Sequence, residues 1–190
     1  PRRRGAPSAN SRWDNSVAIL VGDFLFARAS ALVADLGTDA VRIQAETFAR
    51  LVHGQIKETV GPRGDEDVLD HYLKVVSDKT GSLIATAALF GAKMSGASLD
   101  IQETLLEYGE RIGVAFQLAD DIIDIMSESE DSGKTPGTDL REGVLTLPTL
   151  YVLRSEDPGD ADLKSRVLRP LSDESEVEAT LAELRVHAAM

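Results

Sequence analysis

The sequence predicts an all-α fold, a bundle of long helices running antiparallel around a common interior. Apolar residues recur at spacings of three and four along most of the 190 residues, the period of one helix face. Glycine, proline and small polar residues punctuate that pattern, and nowhere do runs of Val, Ile and Thr alternate with turns as strands do. Neither a solenoid repeat nor a low-complexity tract is present.

The first helix follows Asn15-Ser16, which offers a cap, and its apolar run reaches Leu36 before Gly37 stops it. It reads as a helix buried on most sides. It is long enough to span a bilayer, yet Asp23, Arg28 and Asp35 interrupt it, and charges are costly in hydrocarbon, so no transmembrane segment is expected. Thr38 caps a second helix towards Glu58, with Val41, Ala45, Phe48 and Val52 as its apolar stripe. After the Gly61-Pro62-Arg63-Gly64 turn a third begins near Asp65 or Asp67, with Leu69, Tyr72, Val76, Leu83 and Ala87 on one side. A fourth runs from about Ser98 through Leu105, Tyr108, Ile112, Ala115, Ala119, Ile122 and Met126. A loop rich in glycine and charge comes next, from Ser127 to Gly143. Thr146-Leu147-Pro148 opens the next helix, with proline in the first turn where its missing N–H costs nothing. Asp157-Pro158-Gly159 breaks that helix, and a last pattern runs from about Ser175 through Val177, Leu181 and Leu184.

Composition narrows the classes of function. With no cysteine, disulfides, thiolate-bound zinc, iron–sulfur clusters and thiol catalysis are excluded. A chain of this length buries about 70% of the surface it exposes when unfolded and needs no such staple. The net charge of −12 disfavours nucleic acid as a partner, because phosphate-backbone binding rests on clustered Lys and Arg. Half of that charge is concentrated in residues 120–142, while residues 1–12 carry Arg2, Arg3, Arg4 and Arg12 and no acid. Such polarity suits an anion held through divalent cations on one side and by guanidinium groups on the other; it equally describes a solvated acidic loop and a basic arm. The chain opens at Pro1-Arg2-Arg3-Arg4-Gly5 without a signal peptide and stops at Met190 inside a helical pattern, so both ends read as cut.

The most informative segment is Val114-Ala115-Phe116-Gln117-Leu118-Ala119-Asp120-Asp121-Ile122-Ile123-Asp124-Ile125-Met126. Asp120 and Asp124 are four apart, Asp121 and Asp124 three, and Gln117 lies one turn earlier, so all project into one stripe. Three carboxylates among apolar neighbours repel one another and lose hydration, at a cost of several kcal/mol unless something compensates. A hard divalent cation does so directly, and Mg²⁺ prefers such oxygen ligands while leaving positions for substrate phosphates. Lys79 is a second anomaly, an ammonium on the apolar face of its helix, which either seeks an anion or buries only its stem. Thr80 beside it adds a hydroxyl. Lys134, between Gly133 and Gly137, and the pair Arg3-Arg4 are weaker signals. His53 and His71 have no partner at metal spacing and read as surface or packing residues; Gly54-Gln55 permits close helix contact.

Arg3-Arg4-Gly5-Ala6-Pro7-Ser8, Gly22-Asp23-Phe24-Leu25, Gly54-Gln55, Lys79-Thr80-Gly81, the Phe116–Asp124 run and Gly133-Lys134-Thr135-Pro136-Gly137-Thr138-Asp139-Leu140-Arg141-Glu142-Gly143 resemble the ordered motifs of trans-polyprenyl diphosphate synthases. The likeness spans about residues 2–153 and is greatest to the bacterial long-chain synthases that make quinone side chains. It implies an antiparallel bundle of the isoprenoid synthase type, with 1–190 as one partial synthase domain, usually in a cytoplasmic homodimer. It also implies an activity: elongation of an allylic diphosphate with isopentenyl diphosphate, releasing pyrophosphate, the product passing to membrane enzymes. On that resemblance Asp120, Asp121 and Asp124 form the second aspartate-rich motif and hold Mg²⁺ against the allylic diphosphate. Lys79, Thr80, Gln117 and Lys134 contact that substrate, Arg3 touches the allylic diphosphate and Arg4 the isopentenyl diphosphate, with Asp120, Asp121 and Lys79 as the catalytic set.

Chemistry agrees with these roles. Breaking the allylic C–O bond places charge on the leaving pyrophosphate, which cations stabilise more in the transition state than in the ground state. The carbocation needs a dry apolar tunnel, for which helices 16–36 and 99–126 are candidates. Two departures stand out. The family's first D-D-x-x-D lies just before R-R-G, where this chain begins, so the chain alone is expected to be inactive. Val144 replaces a lysine common after E-G, removing at most one phosphate contact. The alternatives are a class I terpene synthase, a non-catalytic partner subunit of a heteromeric synthase, and a plain helical interaction module. The intact carboxylates count against the last two, and no downstream N-S-E-type triad supports the first.

Overall fold

The computed structural model describes residues 2–3, 6–127 and 135–190, residues 2 and 3 through their backbone. Two short strands, β1 (Arg2–Arg3) and β2 (Ala6–Pro7), pair antiparallel, Arg3 opposite Ala6. Helices come in the order α1 (Ala9–Trp13), α2 (Asn15–Ala34), α3 (Thr38–Val60), α4 (Val68–Val76), a π-helical turn Ser77–Gly81, α5 (Ser82–Met94), α6 (Leu99–Met126), α7 (Thr138–Glu142), α8 (Leu147–Arg154), α9 (Ala161–Val167) and α10 (Glu174–Val186). The all-α expectation holds. Missed were the strand pair, α1, α7 within the expected loop, and α9. The chain divides into two compact units, residues 1–61 with 74–114 and residues 62–73 with 115–190.

In the first unit α2 starts on an Asp14 cap rather than on Asn15-Ser16, the carboxylate accepting from the Val17 amide at 3.0 Å. Gly37, at φ +98°, adopts the conformation that ends it. The expectation of a helix buried on most sides is wrong: none of the 20 residues of α2 is buried, and Ile19, Leu20, Phe24, Leu25 and Leu32 are exposed. Its apolar residues run all round the helix, and its Phe26 ring packs 4.5 Å from that of Phe48 on α3. By length and composition α2 is the one described helix able to cross a membrane.

The apolar stripe expected on α3 is also turned outward, with Val41, Phe48 and Val52 exposed. Inside lie Ala40 and Gly54, with Gln44, Thr47 and Arg50 half-buried. Those polar groups are matched: Gln44 donates to Ser30 at 3.1 Å, and Thr47 and Thr86 share a hydrogen bond of 2.7 Å. The stripe expected on α6 fares similarly, Tyr108, Ile112, Ile122 and Met126 being exposed. Its inward face instead carries Gly109 and Gly113. A Cβ at Gly109 would sit 2.7 Å from the Ala85 Cα, and one at Gly113 2.7 Å from the Gly81 Cα. Backbone therefore meets backbone here.

The π turn explains why Leu83 and Ala87 leave the stripe expected to contain them. The Ser82 amide donates to the Ser77 carbonyl, one residue further back than an α-helix would place the bond. The extra residue rotates α5 about its axis, so Leu83 is 48% exposed while Ser82 and Ala85 are buried.

In the second unit Asp67 caps α4 as expected, accepting from the Leu69 and Asp70 amides at 2.9 and 3.0 Å, and Arg154 pairs with it. Thr146 and Thr149 form a reciprocal capping box at the start of α8, with Pro148 in the first turn. The core joins Ile125, Leu140, Val152, Leu163, Val167, Leu171, Val177, Leu181 and Leu184. Ile125 ties the end of α6 into this core, so the aspartates preceding it sit on a fixed support.

Candidate active site

Asp121 and Asp124 are only 4% and 8% exposed. The Tyr72 hydroxyl donates to Asp121 Oδ2, and the Gln117 amide donates to Oδ1 at 2.9 Å. Burial pushes the Asp121 carboxyl up; the bonds from Tyr72 and Gln117 oppose this, and the net shift is upward. Asp124 is held differently. The amides of Thr138 and Asp139, at the start of α7, donate to its two oxygens at 3.3 and 3.2 Å, and the Gly137 amide donates to its backbone carbonyl at 2.9 Å. Gly137 adopts φ +76°, which directs the chain into α7. Asp120 is half-buried beside them.

Asp139 completes the acidic cluster. Burial first, then the charges of Asp124, Asp121, Glu142 and Asp120, push its carboxyl up to about 7. Burial and the neighbouring Asp121 likewise raise the Tyr72 phenol, which keeps its proton and serves as donor. Arg185 of α10 closes the end of α6, donating to the Ile125 and Ser127 carbonyls at 2.8 and 3.0 Å. Among the described residues no set of three carboxylates or imidazoles encloses a metal ion by itself. The donor set nevertheless fits a hard divalent cation with water or phosphate oxygens in its shell: all its oxygens are carboxylates, and such a cation would relieve their mutual repulsion.

The second cluster lies in the first unit. Lys79 and Thr80 sit in the π turn, and the anion that the half-buried ammonium requires is Glu58 of α3, at 2.6 Å. Its neighbour Asp78 receives Arg50 Nε and Lys57 Nζ, each at 2.9 Å. Gly54 lies against this turn, where a Cβ would stand 2.8 Å from the Asp78 Cβ and 3.0 Å from the Lys79 Cγ. The close contact expected of Gly54 is present. His53 is exposed, and His71 is buried within 3.1 Å of Glu66, as surface and packing roles require.

Of the residues singled out from sequence, Gln117, Asp120, Asp121 and Asp124 are thus gathered at one helix end, and Lys79 and Thr80 occupy a distorted turn. Arg4 and Lys134 lie outside the described residues, as does the Arg3 side chain. Sequence reasoning missed Tyr72, Asp139, Glu58 and Asp78. Tyr72 was hidden because its spacing assigned it to an apolar stripe. Asp139 stood inside a recognised motif with no role attached.

A sequence model of the polyprenyl synthetase family matches residues 1–184. The chain is 55% identical over 188 residues to a nonaprenyl diphosphate synthase of Mycobacterium tuberculosis, covering 99% of this chain and 56% of that protein. A dimethylallyltranstransferase of the same organism is 43% identical, with 93% and 53% covered. Among solved structures, geranylgeranyl pyrophosphate synthase of Corynebacterium glutamicum, complexed with calcium and isoprenyl diphosphate, superposes with a TM-score of 0.81 at 51% identity. That match covers 96% of this chain and 56% of the other. A polyprenyl synthase of Caulobacter crescentus, with the same ligands, gives 0.89 at 32% identity, covering 98% and 58%. The chain spans little more than half the length of these relatives, and it belongs to the polyprenyl synthetase family.

Proposed function

We propose that the protein carrying this chain is a Mg²⁺-dependent prenyltransferase that extends a trans-polyprenyl diphosphate by condensing isopentenyl diphosphate with an allylic diphosphate, releasing pyrophosphate. The observation that carries this reading is the buried carboxylate cluster at the end of α6, with burial pushing the Asp121 carboxyl up and the Asp139 carboxyl up to about 7. Such crowding is unfavourable in an isolated fold and favourable beside a cation. The calcium and isoprenyl diphosphate held by two related structures support it.

In this reading Asp120, Asp121 and Asp124 hold the Mg²⁺. When bound, the ion supplies charge neutralisation for the departing pyrophosphate. Gln117 and Tyr72 keep the Asp121 oxygens oriented, and the α7 amides fix Asp124, so the carboxylates need not reorganise during reaction. Lys79, Thr80 and Lys134 donate to the allylic diphosphate, as do Gln117 and Arg3, while Arg4 takes the isopentenyl diphosphate. Residues 1–190 form part of one synthase domain, supported by a single family match over 1–184. The exposed apolar length of α2 supports a homodimer in which a second copy covers it, with Asp23 and Arg28 opposing a membrane-spanning role. We place the protein in the cytoplasm, its polyprenyl product passing to membrane enzymes.

The test uses the full-length protein with Mg²⁺, labelled isopentenyl diphosphate and farnesyl diphosphate, with the extracted prenyl chains then sized. A ladder ending at one length and abolished by Asp120→Ala establishes elongation. A folded protein that incorporates no label rejects the catalytic reading in favour of a partner subunit.

A further inference from the structure

Asp78 immediately precedes Lys79, and its carboxylate is held by two cations of α3. Arg50, Gly54 and Lys57 lie on one face of that helix at spacings of four and three. The two cations grip the Asp78 carboxylate from either side of the glycine, which lets the π turn approach to contact. One position further along α3, Glu58 takes Lys79. The face thus reads cation, gap, cation, anion against a turn that reads anion, cation. The Arg50 guanidinium extends the grip to α6: it donates to Glu110 Oε2 at 2.9 Å and to Ser77 Oγ at 2.7 Å, and the Ser77 hydroxyl donates to Glu110 at 2.6 Å. Ser82 Oγ bonds the Asp78 carbonyl at 2.6 Å, closing the turn from its own side.

A five-residue π turn inside a helix is an uncommon geometry that persists where its surroundings over-determine it. If it relaxed to regular α-helix, one residue would drop out of register, and Lys79 would swing by about 100° around the axis. We infer that Asp78, clamped by Arg50 and Lys57, is a positioning residue that holds the π turn open and so fixes where the Lys79 side chain, paired with Glu58 in this structure, stands for its proposed contact with the substrate diphosphate. The inference rests on the function proposed above. It adds a residue with no diphosphate contact of its own, acting through Lys79. Burial pushes the Asp78 carboxyl up, and the bonds from Arg50 and Lys57 outweigh it, so the group remains an anion at neutral pH.

The test is a double-mutant cycle in the full-length protein. Asp78→Asn should raise KM for the allylic diphosphate about tenfold and leave KM for isopentenyl diphosphate within about twofold. In a Lys79→Ala background the same substitution should change neither. An equal effect of Asp78→Asn in both backgrounds, or an unchanged allylic KM, overturns the inference and leaves the clamp a stability feature. A second readout needs no catalysis: the rate at which an amine reagent labels Lys79, read by peptide mass spectrometry with and without inorganic pyrophosphate. Pyrophosphate should protect Lys79 in the parent protein and protect it at least about threefold less in Asp78→Asn. Equal protection in both, or none in the parent, overturns it. If the parent protein elongates no prenyl chain, the functional reading fails while the labelling comparison still decides the positioning role. Arg50→Lys, which keeps a cation but loses the planar fork, should reproduce the defect more mildly if Asp78→Asn does not fold.

Discussion

Tyr72 donates its phenolic hydrogen bond to Asp121, a residue 49 positions away in sequence. Tyr72→Phe removes the donor without changing shape. The Asp121 carboxylate, already desolvated, then keeps Gln117 as its side-chain donor. Loss of a bond to a buried charged group should lower stability by about 1–3 kcal/mol, read by thermal or urea unfolding. Under the proposed function, prenyl transfer should fall as the Asp121 oxygen loses its orientation; unchanged stability and rate would remove Tyr72 from the site.

Asp139 predicts a pH dependence. Its folded-state carboxyl lies at about 7 against an ordinary 3.8, so the folded chain binds more protons than the unfolded one between those values. The stability this provides is present below pH 3.8 and is lost as pH rises through about 7. Asp139→Asn cannot ionise. Measured in chelator, its thermal midpoint should gain on the parent protein from about pH 4 to 7 and hold that gain at higher pH. Saturating Mg²⁺ should shrink the gap.

The Arg50 clamp predicts the opposite sign. Hydrogen bonds from Arg50 hold the Glu110 carboxyl below its ordinary value, and those from Arg50 and Lys57 overcome burial to do the same for Asp78. Stability from this source is present above the ordinary carboxyl range and disappears as pH falls through the depressed values, below about pH 4. Arg50→Gln should therefore be less stable than the parent at pH 7, with the difference narrowing on acidification. A gap independent of pH would mean that packing of the arginine stem dominates.

Gly113→Ala is expected to disturb the same turn from the α6 side. The new methyl would meet the Gly81 Cα at 2.7 Å and the Thr80 carbonyl at 3.1 Å, both backbone atoms that cannot step aside. Overpacking of this kind costs about 1–3 kcal/mol. Gly91→Ala, with nothing within 4 Å of its Cβ, is the control that should be neutral or stabilising.

Helix positions were legible because caps and stops act locally. Asp67, Gly37 and the Thr146-Leu147-Pro148 start all lie where short-range chemistry places them. Burial was far less legible. Val41, Phe48 and Leu83 obey helical periodicity yet face outward, because the stripe packed within the unit on α3 is polar and matched, and because the π turn shifts the phase after Val76. The acidic motif could be read from Asp120, Asp121 and Asp124, whose spacing within one helix is fixed by geometry. Tyr72 and Asp139 join them only through the tertiary fold, and no spacing rule reaches across such separations. Arg50 and Asp78 are ordinary charges in sequence; only their shared neighbour Gly54 hinted at close approach.

Asp121 and Asp124 occupy the final turns of a 28-residue helix, the end at which aligned peptide dipoles accumulate partial negative charge. Carboxylates are least welcome there, and the guanidinium of Arg185 offsets only part of the field. The backbone itself thus adds to the demand for a cation, independently of side-chain identity. Under the proposed Mg²⁺ binding, mass action then links the ion to survival of the fold, by RT ln(1 + [L]/Kd). Ambient magnesium would set the lifetime of the protein as well as its rate, and depletion of the ion would first appear as faster turnover of the polypeptide.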